Sequence, residues 1–218
     1  MEREWKRCST QEYEERQPRR VERIPSSKKK KDDLTESVSF KWKTNVRRTR
    51  NREHPVIKTK VGNVDLENVR PRRAGVILYT THNDTVYFGM GMDEATHDIT
   101  DFGGGIRYKQ DLNVINGALR EFDEETLGIF DVMTIDDVIK CPVLYDDKML
   151  IIFIRLDENP EMISRVFLRK YECSRNQEIC SIVWFEQEEF QSELVREQIM
   201  YKKIHKFLKK AGNFYHIL

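Results

Sequence analysis

Residues 101–130, DFGGGIRYKQDLNVINGALREFDEETLGIF, constrain the fold more than any other stretch of the chain. Val114, Ile115, Ala118, Leu119 and Phe122 recur at helical spacing, so residues 114–127 read as a helix whose single apolar stripe must lie against an apolar surface. At about 100° per residue, Glu121 and Glu124 fall on the flank of that stripe, and Glu125 falls between the projections of Val114 and Ala118. A carboxylate on a buried edge is costly unless something cationic meets it. Arg120 stands four residues before Glu124 and can pair with it, but one arginine does not balance Glu121, Asp123, Glu124 and Glu125 together. The i, i+3, i+4 spacing of Glu121, Glu124 and Glu125 instead converges three carboxylates on one patch, which suits a hard divalent ion with oxygen ligands. Gly103, Gly104 and Gly105, lacking a β-carbon, let the backbone approach such an ion or the phosphates bound by it. On its own an acidic helix reads as a solvated face. The glycine loop, Arg120 and the inward position of Glu125 turn the reading toward a site.

These residues resemble the Nudix box, G-x5-E-x7-R-E-U-x-E-E-x-G-U, with U a bulky apolar residue. Arg120, Glu121, Phe122, Glu124 and Glu125 match R-E-U-x-E-E, Gly104 or Gly105 supplies the loop glycine, and Gly128 with Ile129 supplies G-U. Two departures stand out. Between Gly105 and Arg120 lie 14 residues, one more than the pattern has, and between Glu125 and Gly128 lie 2, again one more. The first glutamate of the pattern is represented at best by Asp111. Both extra residues fall outside the glutamate triad, where a loop absorbs them at little cost. The flavour of the box, with the charged N-terminal extension, is similar to that of the viral ADP-ribose pyrophosphatases of baculoviruses.

The resemblance implies a Nudix-type α/β/α sandwich around a mixed sheet, and Mg2+- or Mn2+-dependent cleavage of a diphosphate linked to a nucleoside. It also implies that Glu121, Glu124 and Glu125, with a backbone carbonyl near Gly104, ligate the metal while Arg120 holds a glutamate in place. The general base is left open between a box glutamate and Glu186 or Glu188 in the acidic stretch after WF, which also serve as candidates for an extra ligand.

The rest of the chain supplies a scaffold of the same kind. AGVILYTT (74–81), the turn HNDT and VYFGMG read as a hairpin. DVIKCPVLYDD and KMLIIFIRLD read as two strands joined near Asp146 and Asp147, and EICSIVWFEQEEF as a strand running into a polar turn. Helical patterns cover about 158–170 and 193–210. Strands alternating with helices give an α+β or α/β class, a mixed sheet covered by helices. Trp184 and Phe185 read as core, and His82 and His97 have no ligand-like spacing.

Charge divides the chain. Residues 1–73 hold 22 Lys/Arg and 12 Asp/Glu, a net of +10, and the remainder holds 16 and 25, a net of −9. Residues 1–36 are charged and too poor in large apolar side chains to repay ordering. Residues 37–73 form a basic extension, partly ordered, and 74–218 form the hydrolase domain. Arg47, Arg48, Arg50 and Arg52, close to Trp42, are candidate RNA contacts, and Lys28 to Lys31 a candidate nuclear-import patch. Cys8, Cys141, Cys173 and Cys180 are scattered, as for free thiols in a reducing compartment. No apolar run approaches the length of a membrane span. The expectation is therefore a soluble protein inside the host cell, in cytoplasm and nucleus, with no membrane partner and with a homodimer allowed. Three functions compete: an ADP-ribose pyrophosphatase giving AMP and ribose 5-phosphate, a decapping hydrolase acting on the 5′ cap of RNA, and a Nudix-like binding module without catalysis. The substrate is accordingly a nucleotide sugar or capped RNA.

Overall fold

The computed structural model describes residues 54–192 and 199–218. Arg47, Arg48, Arg50, Arg52 and Lys28 to Lys31 lie outside the described residues, as does the segment 1–36. Eight strands form one mixed sheet among the described residues. In chain order the strands are β1 (Ile57–Lys60), β2 (Arg73–His82), β3 (Thr85–Asp93), β4 (Ile99–Thr100), β5 (Phe102–Gly105), β6 (Pro142–Tyr145), β7 (Met149–Leu156) and β8 (Ile179–Glu186). The helices are α1 (Tyr108–Asp111), α2 (Val114–Glu125), α3 (Ile135–Val138), α4 (Pro160–Glu172), α5 (Gln187–Gln191) and α6 (Lys202–Ala211).

β2 is the axis of the sheet. It runs parallel to β7 from Arg73 to Thr80, and near-continuous burial along it matches the unbroken apolar run of its sequence. Its other edge is shared. β3 pairs with Leu78 to His82, and β5 pairs with Arg73 to Val76. The sheet therefore forks beyond Leu78, with β3 leaving to pair with β8 along its length. The β2–β3 hairpin closes through Asn83 and Asp84, both at positive φ (50° and 62°), the left-handed pair that a two-residue hairpin turn needs.

Side chains alternate across the sheet. Ala74, Val76 and Leu78 face one core together with α2 and α4 through Val114, Ile115, Ala118, Phe122, Ile163 and Phe167. Ile77 and Tyr79 face a second core with α5 and α6 through Phe190, Ile204, Phe207 and Leu208. Helices thus cover both faces of a mixed sheet, the α/β/α layering expected from the sequence.

β1, inside the segment read as a partly ordered basic extension, joins the sheet by pairing with β6. Two boundaries differ from the sequence reading. The acidic stretch after Phe185 is helix α5 and not a turn, because Glu186 and Glu189 close a capping box around its first turn. Of the helical pattern at about 193–210, residues 193–198 lie outside the described residues and Ile199 is helical; α6 starts at Lys202, because Met200 bridges Ile99 and the Tyr201 amide donates to the Ile99 carbonyl at 2.7 Å, which holds the chain extended there. The turn at Asp146 is tighter than its sequence suggests. Asp146 is buried, accepts from the amides of Lys148 and Met149, and pairs with Lys210 of α6 at 2.9 Å.

Candidate active site

Helix α2 begins where Asn113 accepts from the amides of Ile115 and Asn116, both at 3.0 Å. Its stripe of Val114, Ile115, Ala118, Leu119 and Phe122 is buried on the sheet, each side chain beyond alanine contributing about 1.5–3 kcal/mol. That gain fixes the rotation of the helix and carries Glu125 inward with it. Glu125 Oε2 accepts from the Gly103 amide at 2.7 Å, across 22 residues of sequence. Burial, then the nearby Asp101 carboxylate, push the Glu125 carboxyl up to about 9, with Arg73 and the Gly103 amide pulling the other way.

Glu121 lies directly over the glycine loop. A β-carbon at Gly104 would run into the Glu121 carboxylate, which would have to swing aside, so the middle glycine lets Glu121 lie against the loop. Arg120 ties the cluster together. Its Nη1 meets Glu121 at 2.8 Å and Glu124 at 3.2 Å, its Nε meets Asp111 at 2.8 Å, and its Nη2 donates to the Gly105 carbonyl at 3.3 Å. Asp111 is buried, and the Arg120 hydrogen bonds hold its carboxyl below the usual range. Asp111 thus serves as the anchor of Arg120. Glu124 is the most open of the three glutamates, with its side chain 53% exposed.

The extra residues of the box are taken up at its two ends. Leu112, between α1 and α2, stands at φ 68° and ψ −42°, and is 75% exposed. Leu127 and Gly128 follow the helix at φ 60° and 61°. Neither excursion shifts Glu121 relative to Glu124 or Glu125, since all three lie within the unbroken helix.

Two residues absent from the sequence reading stand beneath the cluster. Asp101 is fully buried and forms an ion pair with Arg73, which also donates to the Gly103 carbonyl. Asp101 Oδ2 and Arg73 Nε have no hydrogen-bond partner among the described residues. Gly75 and Gly103 leave the room this carboxylate needs, for a β-carbon at either would meet its Oδ2. The signal was present in the sequence: an aspartate between the β-branched IT and FGGG is a charge inside a strand region, which requires a partner. Nothing in the sequence pointed to Arg73 as that partner.

The fork of the sheet opens into a pocket of about 240 Å³ lined by Arg73, Gly103 and Glu125 together with Asp93, Asp98, Glu178 and Tyr201. Glu186 and Glu188 are not brought to it. Glu186 lies opposite Tyr87, which lies opposite Thr80, whereas the pocket is at Arg73. Seven residues of strand separate the two ends, about 23 Å. Glu186 and Glu189 are moreover engaged in capping α5. Trp184 donates to Ser164 Oγ at 3.0 Å and covers Gly89, in the packing role read from the sequence.

The donor set suits a hard divalent ion in kind. It consists of carboxylate oxygens beside a glycine backbone, among them the half-buried Glu125 carboxyl, to which Arg73 makes no ion pair because its guanidinium is paired with Asp101. Among the described residues no three His, Cys, Asp or Glu groups are already drawn together as a metal cage. Arg120 bridges Glu121 and Glu124, so an ion would have to exchange with it while Asp111 retains the guanidinium.

No family model and no curated protein matches the chain. Solved structures do. An Ap4A hydrolase of C. elegans is similar at 17% identity over 63% of this chain and 92% of its own, with a TM-score of 0.37. The NUDIX domain of NrtR from Shewanella oneidensis, solved with ADP-ribose, is similar at 9% identity over 69% and 93%, with a TM-score of 0.39. A NUDIX hydrolase from Nitrosomonas europaea is similar at 14% identity over 68% and 96%, with a TM-score of 0.34. At TM-scores below 0.5 none of these likenesses bears on activity.

Proposed function

We propose that the chain is a metal-dependent hydrolase of the Nudix type that cleaves a diphosphate linked to a nucleoside, with ADP-ribose, giving AMP and ribose 5-phosphate, as the leading substrate. The observation that carries this reading is the seating of two helix carboxylates on the glycine loop, Glu121 over Gly104 and Glu125 on the Gly103 amide. A stable surface helix needs no such arrangement, and burying Glu125 costs stability at neutral pH.

Glu121, Glu124 and Glu125, with the Gly104 carbonyl, would hold Mg2+ or Mn2+, which when bound neutralises diphosphate charge and acidifies a water. The chain's own residues act around that centre. Asp111 fixes Arg120, and Arg120 orients Glu121 and Glu124, as groups one step removed from a metal commonly do. The Gly103 amide aims Glu125, and the Arg73–Asp101 pair holds Gly103 through its carbonyl. With Glu186 at the far end of β8 and Glu188 in α5 beyond it, proton abstraction from the attacking water falls to a box glutamate.

Capped RNA is the alternative substrate, favoured by the net +10 of residues 1–73. Incubating the full chain and Mg2+ with ADP-ribose and, separately, with capped RNA decides between them. Equimolar AMP and ribose 5-phosphate from the first, with the cap left intact, is the expected result. Release of the cap nucleoside as its diphosphate, leaving RNA with a 5′ monophosphate, with ADP-ribose untouched, would make the chain a decapping hydrolase. Cleavage of neither, nor of any other dinucleoside polyphosphate or nucleotide sugar, would leave a binding module.

A further inference from the structure

Helix α6 carries five lysines, Lys202, Lys203, Lys206, Lys209 and Lys210, and no acidic residue. At 3.6 residues per turn they fall within an arc of about 120°. Ile204, Phe207, Leu208 and Ala211 occupy the opposite side and are buried on the sheet. Two of the five have a structural explanation. Lys210 pairs with Asp146, and both Lys209 and Lys210 sit in the last turn, where cations complement the helix dipole. The other three have no such ion pair or dipole role among the described residues. Lys202 and Lys203 stand in the first turn, at the positive end of the dipole, with no acid there to offset them and no side chain capping the free amides after Tyr201. Each such placement costs a few tenths of a kcal/mol or more. Lys203 lies over the Tyr201 ring at 5.8 Å, and the ion pairs among the described residues include none at Lys202, Lys203 or Lys206.

Position adds to charge. Tyr201, the residue before the helix, lines the pocket that also contains Glu125 and Gly103. From there the lysine face runs for about 15 Å to the end of α6, where Lys58 of β1 donates to the Asn213 carbonyl. A polyanion whose end lay in the pocket could therefore follow α6 away from the pocket carboxylates and toward the start of the described chain.

We propose that the lysine face of α6 binds the phosphate backbone of a single-stranded nucleic acid, with Lys202, Lys203 and Lys206 as its contacts nearest the pocket. The inference stands on the charge pattern of α6 and does not require the hydrolase reading, so either can fail without the other.

The test uses the full chain and a fluorescein-labelled oligouridylate, followed by anisotropy over a range of salt. Replacing Lys202, Lys203 and Lys206 by Gln keeps helix propensity. It should weaken binding at least tenfold at low salt and make the log–log salt slope shallower by about 2, at about 0.7 for each phosphate no longer neutralised. The same triple change should act in a chain that also carries Ser at Arg47, Arg48, Arg50 and Arg52, which separates the helix from the basic arm. An unaltered melting temperature, and unaltered turnover of whichever small diphosphate is cleaved, confirm that fold and site are intact. An unchanged affinity and slope overturn the proposal, as does failure of the parent chain to bind the oligomer. Loss of binding to phosphatidylserine vesicles with RNA binding retained would also overturn it, and would identify the face as one for anionic lipid.

Discussion

Glu125 is the residue at which stability and the proposed chemistry pull in opposite directions. Folding raises its carboxyl from 4.5 to about 9, through burial and the Asp101 charge. The folded chain therefore keeps a proton that the unfolded chain gives up above pH 4.5. Stability falls as pH rises between those two values, and the loss is complete only above the higher one. Glu125→Gln removes that dependence while keeping the side-chain volume. The variant should be about as stable as the parent near pH 4.5 and more stable than it at pH 7, by about 1–3 kcal/mol, with a correspondingly higher melting temperature. Melting curves at both pH values check this, and a variant less stable than its parent at pH 7 would show that the carboxyl is instead compensated in the fold. Much of the residue's position was legible: helical projection alone placed it on the inner edge of the stripe. Its partners were not, because the Gly103 amide comes from 22 residues away and Asp101 is held by Arg73, 28 residues before it. Such contacts are set by strand register, which short-range spacing does not contain.

Helix α2 shows what a local pattern can and cannot specify. Its stripe, its start and the cluster at its end follow from periodicity and a capping asparagine. Its accommodation of one additional residue at each end does not, because that depends on backbone angles. Leu112 bears this cost most openly, a non-glycine residue at φ 68° and ψ −42° with its side chain in solvent. Such a conformation costs about 1–3 kcal/mol. Leu112→Gly should therefore stabilise the protein by about 1 kcal/mol, read as a rise in the midpoint of denaturant unfolding at constant m. A fall in the midpoint would mean that the Leu112 side chain makes a contact worth more than the strain. Helix α5 is the complementary case. Its acidic residues suggested a polar turn or a second set of ligands, and the capping box of Glu186 and Glu189 employs two of them in starting a helix. Residue types alone do not separate the two uses, since a capping box and a ligand set share the same side chains.

At the scale of the molecule, the sheet fork brings a glycine strand, an acidic helix and an arginine from β2 to one end of the fold. The class of fold was legible because long apolar runs and amphipathic helices alternate along the chain. The fork was not, because it depends on β2 sharing one edge between β3 and β5. An ion held at this end should stabilise the folded chain by mass action, about 2.7 kcal/mol when present at 100 times its dissociation constant. Mn2+ should accordingly raise the melting temperature of the parent and raise that of Glu124→Gln less. Equal rises would place the ion elsewhere. The central claim is that the box carboxylates and a divalent metal together hydrolyse a nucleoside-linked diphosphate, and it is tested most directly by product release as Mn2+ is titrated into protein and ADP-ribose. The account predicts AMP and ribose 5-phosphate in equal amounts, none without metal, and less than a tenth of the parental rate from Glu125→Gln. Metal-independent release, or a Glu125→Gln rate close to the parent's, would contradict it.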